Sequence, residues 1–475
     1  MTCMMAVIDK KTENKQFLIL LFKTVLPLLI QSFFMQSINF INQLMVSSLG
    51  TEAIAAVGSS NKLLSLYNSF LYGSCSGCAM FMAQYWGKKD IKSFQKILGV
   101  TITATMTMGT VVTAAVLIVP GRLIGIFTND PVVIELGITY TRAVAFSYFL
   151  MGIVFPLNFS LRSMNKVKVT MISTIISVIL DCAVNYVLIF GKFGFPAMGV
   201  AGAGIGTVIT RVIELTVLIT YFKATKNPVL SNIRHLFSFG KSYVVSFIQK
   251  ALPLVGNEIM WSLGTTIYFI IYGTAGTDAL AAMSIMQTMQ MLAKLFTGGF
   301  SGASSIIIGN EIGKGDISKV NRFCKKFHLA AAMIGLLSSV LVFAAIRPVL
   351  NIYNINGTTV GDYVGKCMLI LSIFIVLNSC NSINVEGIFR SGGDVKFITL
   401  MDMGSIWFIG MPFTVITGLI VKSDIIIVYM AFILLELYKL PLGYYRFKSG
   451  KWLHRLHEST EKNKNRKEVI SYGNS

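Results

Sequence analysis

Charge is what this sequence has least of. Of its 475 residues only 13% are Asp, Glu, Lys or Arg, while 54% are hydrophobic; soluble domains carry about 25% charged residues. The polar helix faces that would keep so apolar a chain in water are missing, which excludes a soluble fold. Histidine is scarce too, at four residues. His454 and His457 share a helix face, but they lie in the polar tail without further ligands. An intramembrane hydrolase or metalloenzyme needs a nucleophile with its base, or a His/Asp metal set within a span, and neither is present in the sequence, so no enzymatic activity is expected. No G-x-x-x-x-G-K-[ST] phosphate loop occurs, so ATP is not the expected energy source. The seven cysteines are odd in number and scattered. Only Cys75 and Cys78 form a C-x-x-C, inside an apolar helix, where small residues serve close helix packing.

What the chain does have is long apolar runs. Stretches of roughly 20 residues, enough for a helix to cross a hydrocarbon core of ~30 Å, recur along its whole length. The first, residues 17–46, is too long for a cleaved signal and lacks a small-residue cleavage site. Twelve spans follow from the pattern, near 17–47, 53–84, 96–119, 132–157, 167–190, 199–222, 245–273, 278–309, 327–346, 362–388, 396–421 and 424–445. Turn signals separate them, among them PGR at 120, NDP at 129 and KNP at 226. The chain accordingly divides into an amino-terminal six-helix lobe (1–225), a cytoplasmic linker (226–244), a carboxy-terminal six-helix lobe (245–447) and a cytoplasmic basic tail (448–475).

The excess of 41 Lys and Arg over 21 acids has a membrane explanation. Loops on one side hold Lys88, Lys89, Lys92 and Lys96, or Lys314, Lys319, Arg322, Lys325 and Lys326; the other side has only Arg122, Lys192, Arg347, Lys366 and Lys422. This is the positive-inside bias. It places both termini in the cytoplasm and the chain in the inner (plasma) membrane, with the lipid bilayer and no nucleic acid as partner. The tail after Tyr445 is expected to be disordered and drawn to anionic headgroups.

The two halves repeat. GTEAIAAVG (50–58) matches GTDALAAMS (276–284) at an offset of 226. At the same offset Leu26-Pro27-Leu28 falls on Leu252-Pro253-Leu254, Gly73 on Gly299, and Gly87-Lys88 with Asp90-Ile91 on Gly313-Lys314 with Asp316-Ile317. Cys75 and Cys78 fall on Ser301 and Ser304. A weaker echo joins LRSMNKVKV (161–169) to FRSGGDVKF (389–397) at 228. Because six spans separate the copies, both halves enter the membrane the same way, a parallel repeat of the kind transporters use.

The proline-led first span of each half, the loops WGKKD (86–90) and IGKGD (312–316), the run NYVLIFGKFGFPAMGVAGAGIGT (185–207), and the segments NEIMWSLG (257–264) and FRSGGD (389–394) resemble the multidrug and toxic compound extrusion (MATE) transporters of bacteria. The resemblance spans residues 16–447. It implies an all-α membrane protein, twelve transmembrane helices in two parallel-repeat six-helix bundles around a central cavity. It further implies antiport, with a small drug-like, cationic and amphipathic compound leaving as H+ or Na+ enters, no other cofactor, and a monomer.

Charged groups at mid-membrane are expensive and become functional candidates by that fact. Asp181 lies about fourteen residues into the fifth span with Asn185 one turn on, and Asn42 lies towards the outer end of the first. By resemblance, Asp181, Asn185, Asn42 and Thr207 match the family's cation-coupling cluster. Asn42 replaces the usual Asp, and the span-five pair is in swapped order. The oxygen ligands suit sodium, a lone buried carboxylate suits a proton relay, and an internal hydrogen-bonding role is the plainer alternative. In the second half Glu258 matches an acidic position of the sodium-linked branch and, with Gln287 and Met286 of MSIMQTMQML (283–292), is a candidate ligand for substrate or a second cation. Glu386 and Asp402 sit near the inner face, where reaching water or pairing would satisfy them. Arg211 with Glu214, and Glu436 with Lys439, are expected ion pairs at i,i+3. Lys62 and Lys294 either face a cavity or snorkel to an interface. A flippase for lipid-linked saccharides, the nearest rival, would line its cavity with several cations, and Lys62, Arg142 and Lys294 are few.

Overall fold

The computed structural model describes residues 2–454, with side chains from Asn14 onward. Its long helices are α1 (Thr2–Ser47), α2 (Thr51–Gly87), α3 (Ile91–Ile118), α4 (Pro131–Ser163), α5 (Val167–Phe190), α6 (Gly199–Ala224), α7 (Lys241–Gly273), α8 (Thr277–Lys314), α9 (Ile317–Ala344), α10 (Thr359–Gly392), α11 (Val395–Ile420) and α12 (Ile425–Lys448). Eleven of the twelve are long and apolar enough to span a bilayer; α2 is equally long, at 37 residues, and more polar. Large apolar side chains turned outward, such as Leu329, Met333, Leu336, Leu337 and Val340 along α9, give these helices the outward-facing apolar surface that lipid requires. This is a multi-pass membrane protein.

The sequence repeat is a repeat of backbone geometry. Gly50 and Gly276 precede α2 and α8 at φ of +110° and +112°, a region open to glycine, which is why both outer turns keep that residue. Asp90 and Asp316 cap α3 and α9 by accepting from the backbone N–H groups of Ser93 at 3.1 Å and Lys319 at 2.9 Å, the role short acidic side chains serve at helix starts. Asn165 and Gly393, 228 apart, turn the chain at φ of +59° and +83°.

The helices fall into two compact units. The amino-terminal unit holds Leu18–Met82 and Asp90–Ile259; the carboxy-terminal unit holds residues 1–17, Ala83–Lys89 and the chain from Met260. In the first, Leu71, Tyr148, Val144 and Val200 are among the buried core side chains. Gly73 and Gly77 of α2 face the backbone of Val255 and Ala251 on α7 so closely that a Cβ would collide. Leu236, in the connection between halves, is buried with its carbonyl against Gly99 of α3, and Gln95 donates to the carbonyls of Pro228 and Val229. The connection is therefore packed onto this unit. In the second unit Gly87 faces the Asn310 carbonyl while Gly313 faces the Gln84 carbonyl. Positions 84 and 310, like 87 and 313, are 226 apart, so this crossing is itself symmetric.

The carboxy-terminal unit departs from the expectations at two places, the pairing of Lys439 and the course of the tail. Lys439 pairs with Asp402 on α11 at 2.8 Å and not with Glu436, because Glu436 accepts at both oxygens, from Asn378 at 3.0 Å and Asn381 at 2.8 Å. Asp402, for which water or a pairing partner was expected, thereby takes the second course and is buried in an ion pair. Glu386, on a π-helical stretch of α10 (Ile383–Phe389), accepts from Ser301 at 2.8 Å. Second, the chain after Tyr445 is not all loose: α12 continues to Lys448, and the following turn buries Trp452 against Phe389 and Phe447. The tail from Arg455, with His457, lies outside the described residues.

That terminal turn is tied down by Asp394, between α10 and α11. It takes a two-pronged bond from Arg446, at 2.6 and 2.9 Å, and lies 3.6 Å from His454, whose backbone N–H donates to the Gly392 carbonyl. Burial would raise the Asp394 carboxyl, but hydrogen bonds from His454 and Arg446 and the Arg446 charge outweigh it and hold it below the usual carboxylate range. A carboxyl depressed in the folded state contributes stability that is full above its unfolded value and lost as pH falls through the folded one. Thermal unfolding in detergent should therefore change little from pH 7 to 5 and lose stability only below about pH 4. Asp394→Asn should cost about 2 kcal/mol at neutral pH, the order of hydrogen bonds to a charged group, and should flatten that acid limb. An unchanged limb in the variant would remove Asp394 as its source.

Candidate functional site

The polar core of the amino-terminal unit follows from one stripe of α5. Thr170, Ser173, Thr174, Ser177, Asp181 and Asn185 are buried, while Ile172 and Ile179 face outward. These positions recur every three or four residues, so a single face is polar and points inward, the reverse of a soluble amphipathic helix. Two rungs join this stripe to α1: Gln31 donates to Thr174 at 2.8 Å and Asn42 to Asp181 at 2.8 Å. Towards the Val167 end of α5, Thr24 bonds Asn165, just before that helix, at 3.0 Å. Arg162 donates to Gln31 at 3.0 Å.

At the outer rung three expected residues come together. Asp181 Oδ2 accepts from Asn42 Nδ2 at 2.8 Å and from Asn185 Nδ2 at 2.9 Å, and Asn185 also donates to Asn42 Oδ1 at 3.0 Å. Asp181 is 5% exposed and Asn185 1%. The fourth, Thr207, is on the neighbouring helix, but its hydroxyl donates to the Ala203 carbonyl at 3.0 Å and makes no hydrogen bond to the carboxylate. Thr210, three residues on, is buried and donates its hydroxyl to the Gly206 carbonyl at 2.9 Å. Arg211 pairs with Glu214, as the spacing predicts, and Asn158 donates to Glu214 at 3.2 Å.

Asn185 owes its place to Gly206. Its Oδ1, which has no hydrogen-bond partner among the described residues, lies against Gly206 where a Cβ would be. Gly206→Ala should displace the Asn185 amide and break both its bonds to the cluster. The expected transport defect matches that of Asn185→Ala, while Gly256→Ala, at a position with nothing within 4 Å, leaves transport unchanged. Equal activity in the two glycine variants would show that Asn185 placement is irrelevant.

The remaining candidates lie elsewhere. Glu258 is half-buried on α7, near the end of the amino-terminal unit. Met286 and Gln287 are on α8 of the carboxy-terminal unit and line a cavity there. Among the described residues no group of three or more His, Cys, Asp or Glu could hold a metal ion. Cys75 and Cys78 are buried free thiols.

Two compact helical units, with a buried carboxylate–amide cluster facing inward in the first, define a polytopic membrane protein of the transporter class. The MatE family profile matches residues 27–187 and 253–416, one stretch in each half. The chain belongs to the MatE family. It is 26% identical over 448 residues to the uncharacterized transporter YisQ of Bacillus subtilis, covering 94% of this chain and 97% of that one. It is 26% identical over 419 residues to the probable multidrug resistance protein NorM of Halalkalibacterium halodurans, covering 85% and 88%. Among solved structures, a MATE protein in its straight conformation superposes with a TM-score of 0.82 at 18% identity, over 91% of this chain and 96% of the other. An outward-facing MATE family transporter of the MOP superfamily gives 0.81 at 17%. At those identities the likeness is one of fold.

Proposed function

We propose that this protein is a secondary antiporter of the plasma membrane, with cytoplasmic termini, which exports small amphipathic organic compounds, cationic ones among them, in exchange for protons. Transport, not catalysis, is the activity. The single observation that carries the coupling is the Asn42–Asp181–Asn185 cluster: one carboxylate, buried at membrane depth, with polar neighbours that hold it in either protonation state. A group placed there at such cost reports a cation pathway.

The donor arrangement favours a proton over sodium. Sodium asks for several oxygen ligands, yet both amides turn N–H groups to the carboxylate, and Asn42 Oδ1 is already engaged. Sodium would need both side chains to rotate; a proton needs neither. In the proposed cycle a proton arriving from outside neutralises Asp181, which weakens its two charge-assisted hydrogen bonds. The α1–α5 contact loosens and substrate is released outward. Return of the proton to the cytoplasm restores the cluster.

The test is ethidium transport by purified protein in proteoliposomes, with pH and sodium gradients imposed separately. Transport driven by the pH gradient and indifferent to sodium is expected. Transport driven by sodium alone would transfer the coupling to that ion, and movement under neither would remove antiport of this substrate class.

A further inference from the structure

The carboxy-terminal unit contains a cavity of about 120 Å³ between α7, α8 and α12. Half of its lining residues are aromatic, with Trp261, Tyr268, Tyr272 and Phe432 among them, and Gln287, Gln290 and Lys294 supply polar groups from α8. An apolar protein cavity of about 150 Å³ is known to hold benzene; this one is somewhat smaller, so a single ring is the largest body it would take. Aromatic faces are good surfaces for such a ring.

Its polar groups are donors in excess. Lys294 stands over the Phe374 ring, 5.2 Å from its centroid, and has no ion-pair partner among the described residues. The Tyr272 hydroxyl, on a residue 4% exposed, has no hydrogen-bond partner either. Gln290 donates its amide N–H to Tyr429 at 2.6 Å. Glu436 and Glu386 are in the electrostatic surroundings of Lys294. However, they accept from Asn378, Asn381 and Ser301, and neither lines the cavity. Lys439 is satisfied by Asp402. What remains facing the space is the Lys294 ammonium, the Gln287 amide and the Tyr272 hydroxyl, the last buried and costly to leave unpaired.

We propose that this cavity is a ligand subsite for an aromatic ring bearing a carboxylate. The ring lies among the aromatic walls, the carboxylate is taken by Lys294, and Tyr272 donates to an acceptor elsewhere on the ring. A cationic head is rejected, because nothing lining the space is anionic. On the reading of the protein as an exporter, substrates using this subsite are aryl acids or zwitterions, distinct from purely cationic compounds. Binding itself does not depend on that reading.

The experiment is equilibrium binding to the full chain in lipid nanodiscs, without any gradient, so that its result stands apart from the question of antiport. The probes are 4-hydroxybenzoate, 4-hydroxybenzamide and 4-hydroxybenzylamine, one ring carrying negative, neutral and positive heads. Quenching of tryptophan fluorescence reports occupancy, and its loss in Trp261→Phe assigns it to this cavity. The benzoate should bind best and the benzylamine worst. Lys294→Gln should weaken the benzoate about tenfold, the scale of one charge-assisted contact, and erase the preference between heads. Tyr272→Phe removes only an unpartnered hydroxyl, so it should fold normally and weaken all three probes to a similar extent. Preferred binding of the benzylamine, an unchanged order in Lys294→Gln, or no saturable binding of any probe would each overturn the proposal. If Lys294→Gln does not fold, the order of the heads and the Tyr272→Phe result decide it.

Discussion

Asp181→Asn should reduce gradient-driven accumulation of substrate to none. Exchange of one proton for a monovalent cation moves no net charge, so the pH gradient alone drives it, to about tenfold accumulation (~1.4 kcal/mol) per pH unit; with no group to carry the proton the ratio falls to one. The substitution keeps the size of the side chain. Asn42 and Asn185 can still donate to an amide oxygen at position 181, so the loss should come without unfolding. Accumulation in proteoliposomes and thermal unfolding of the same preparation separate the two effects. Accumulation that survives in a folded Asp181→Asn protein would move coupling away from this cluster, towards Glu258.

The second large effect is on stability. Lys439 and Asp402 are 6% and 10% exposed at their side chains and 2.8 Å apart, and the ammonium also lies 4.8 Å from the Trp261 ring centroid. Asp402→Leu strands a buried ammonium, which should cost about 3–5 kcal/mol. The double variant Asp402→Leu, Lys439→Met should recover most of that loss, since replacing both members of a buried pair by apolar groups is commonly near neutral. Thermal unfolding in detergent reads both. A double variant no more stable than Asp402→Leu alone would show that the pair itself is not what the site loses.

Much of this was legible in the sequence because membranes constrain sequences strongly. The spans follow from apolar length, and the repeat from matched residues that recur with matched geometry, as Gly50 with Gly276 and Asp90 with Asp316 do. Asp181, Asn185 and Asn42 stood out because polar groups in a span need a reason, and the structure joins them. What was missed depends on direction and distance between segments far apart in the chain. The i,i+3 spacing of Glu436 and Lys439 put them on one face but did not show that amides from α10 occupy Glu436 and leave Lys439 to α11. The π-helical stretches in α10 and α11, Ile383–Phe389 and Gly404–Gly410, shift the faces presented by residues around them, and nothing in their composition announces them. Nothing in the run GVAGAGIG (199–206) sets Gly206 apart, since the side chain that needs its missing Cβ comes from another helix. Trp452 looked like part of a polar tail because one aromatic among basic residues carries little signal until Phe389 and Phe447 are seen beneath it.

Antiport through Asp181 makes one demand that other arrangements do not: substrate movement must move protons. The most direct test traps a pH-sensitive dye inside proteoliposomes at equal internal and external pH, without sodium, and imposes an ethidium gradient. In wild type ethidium entering should drive protons out and raise internal pH, and Asp181→Asn should give no shift while still binding ethidium. A proton flux equal in both proteins, or ethidium movement in wild type with no proton flux at all, would contradict proton coupling at this carboxylate.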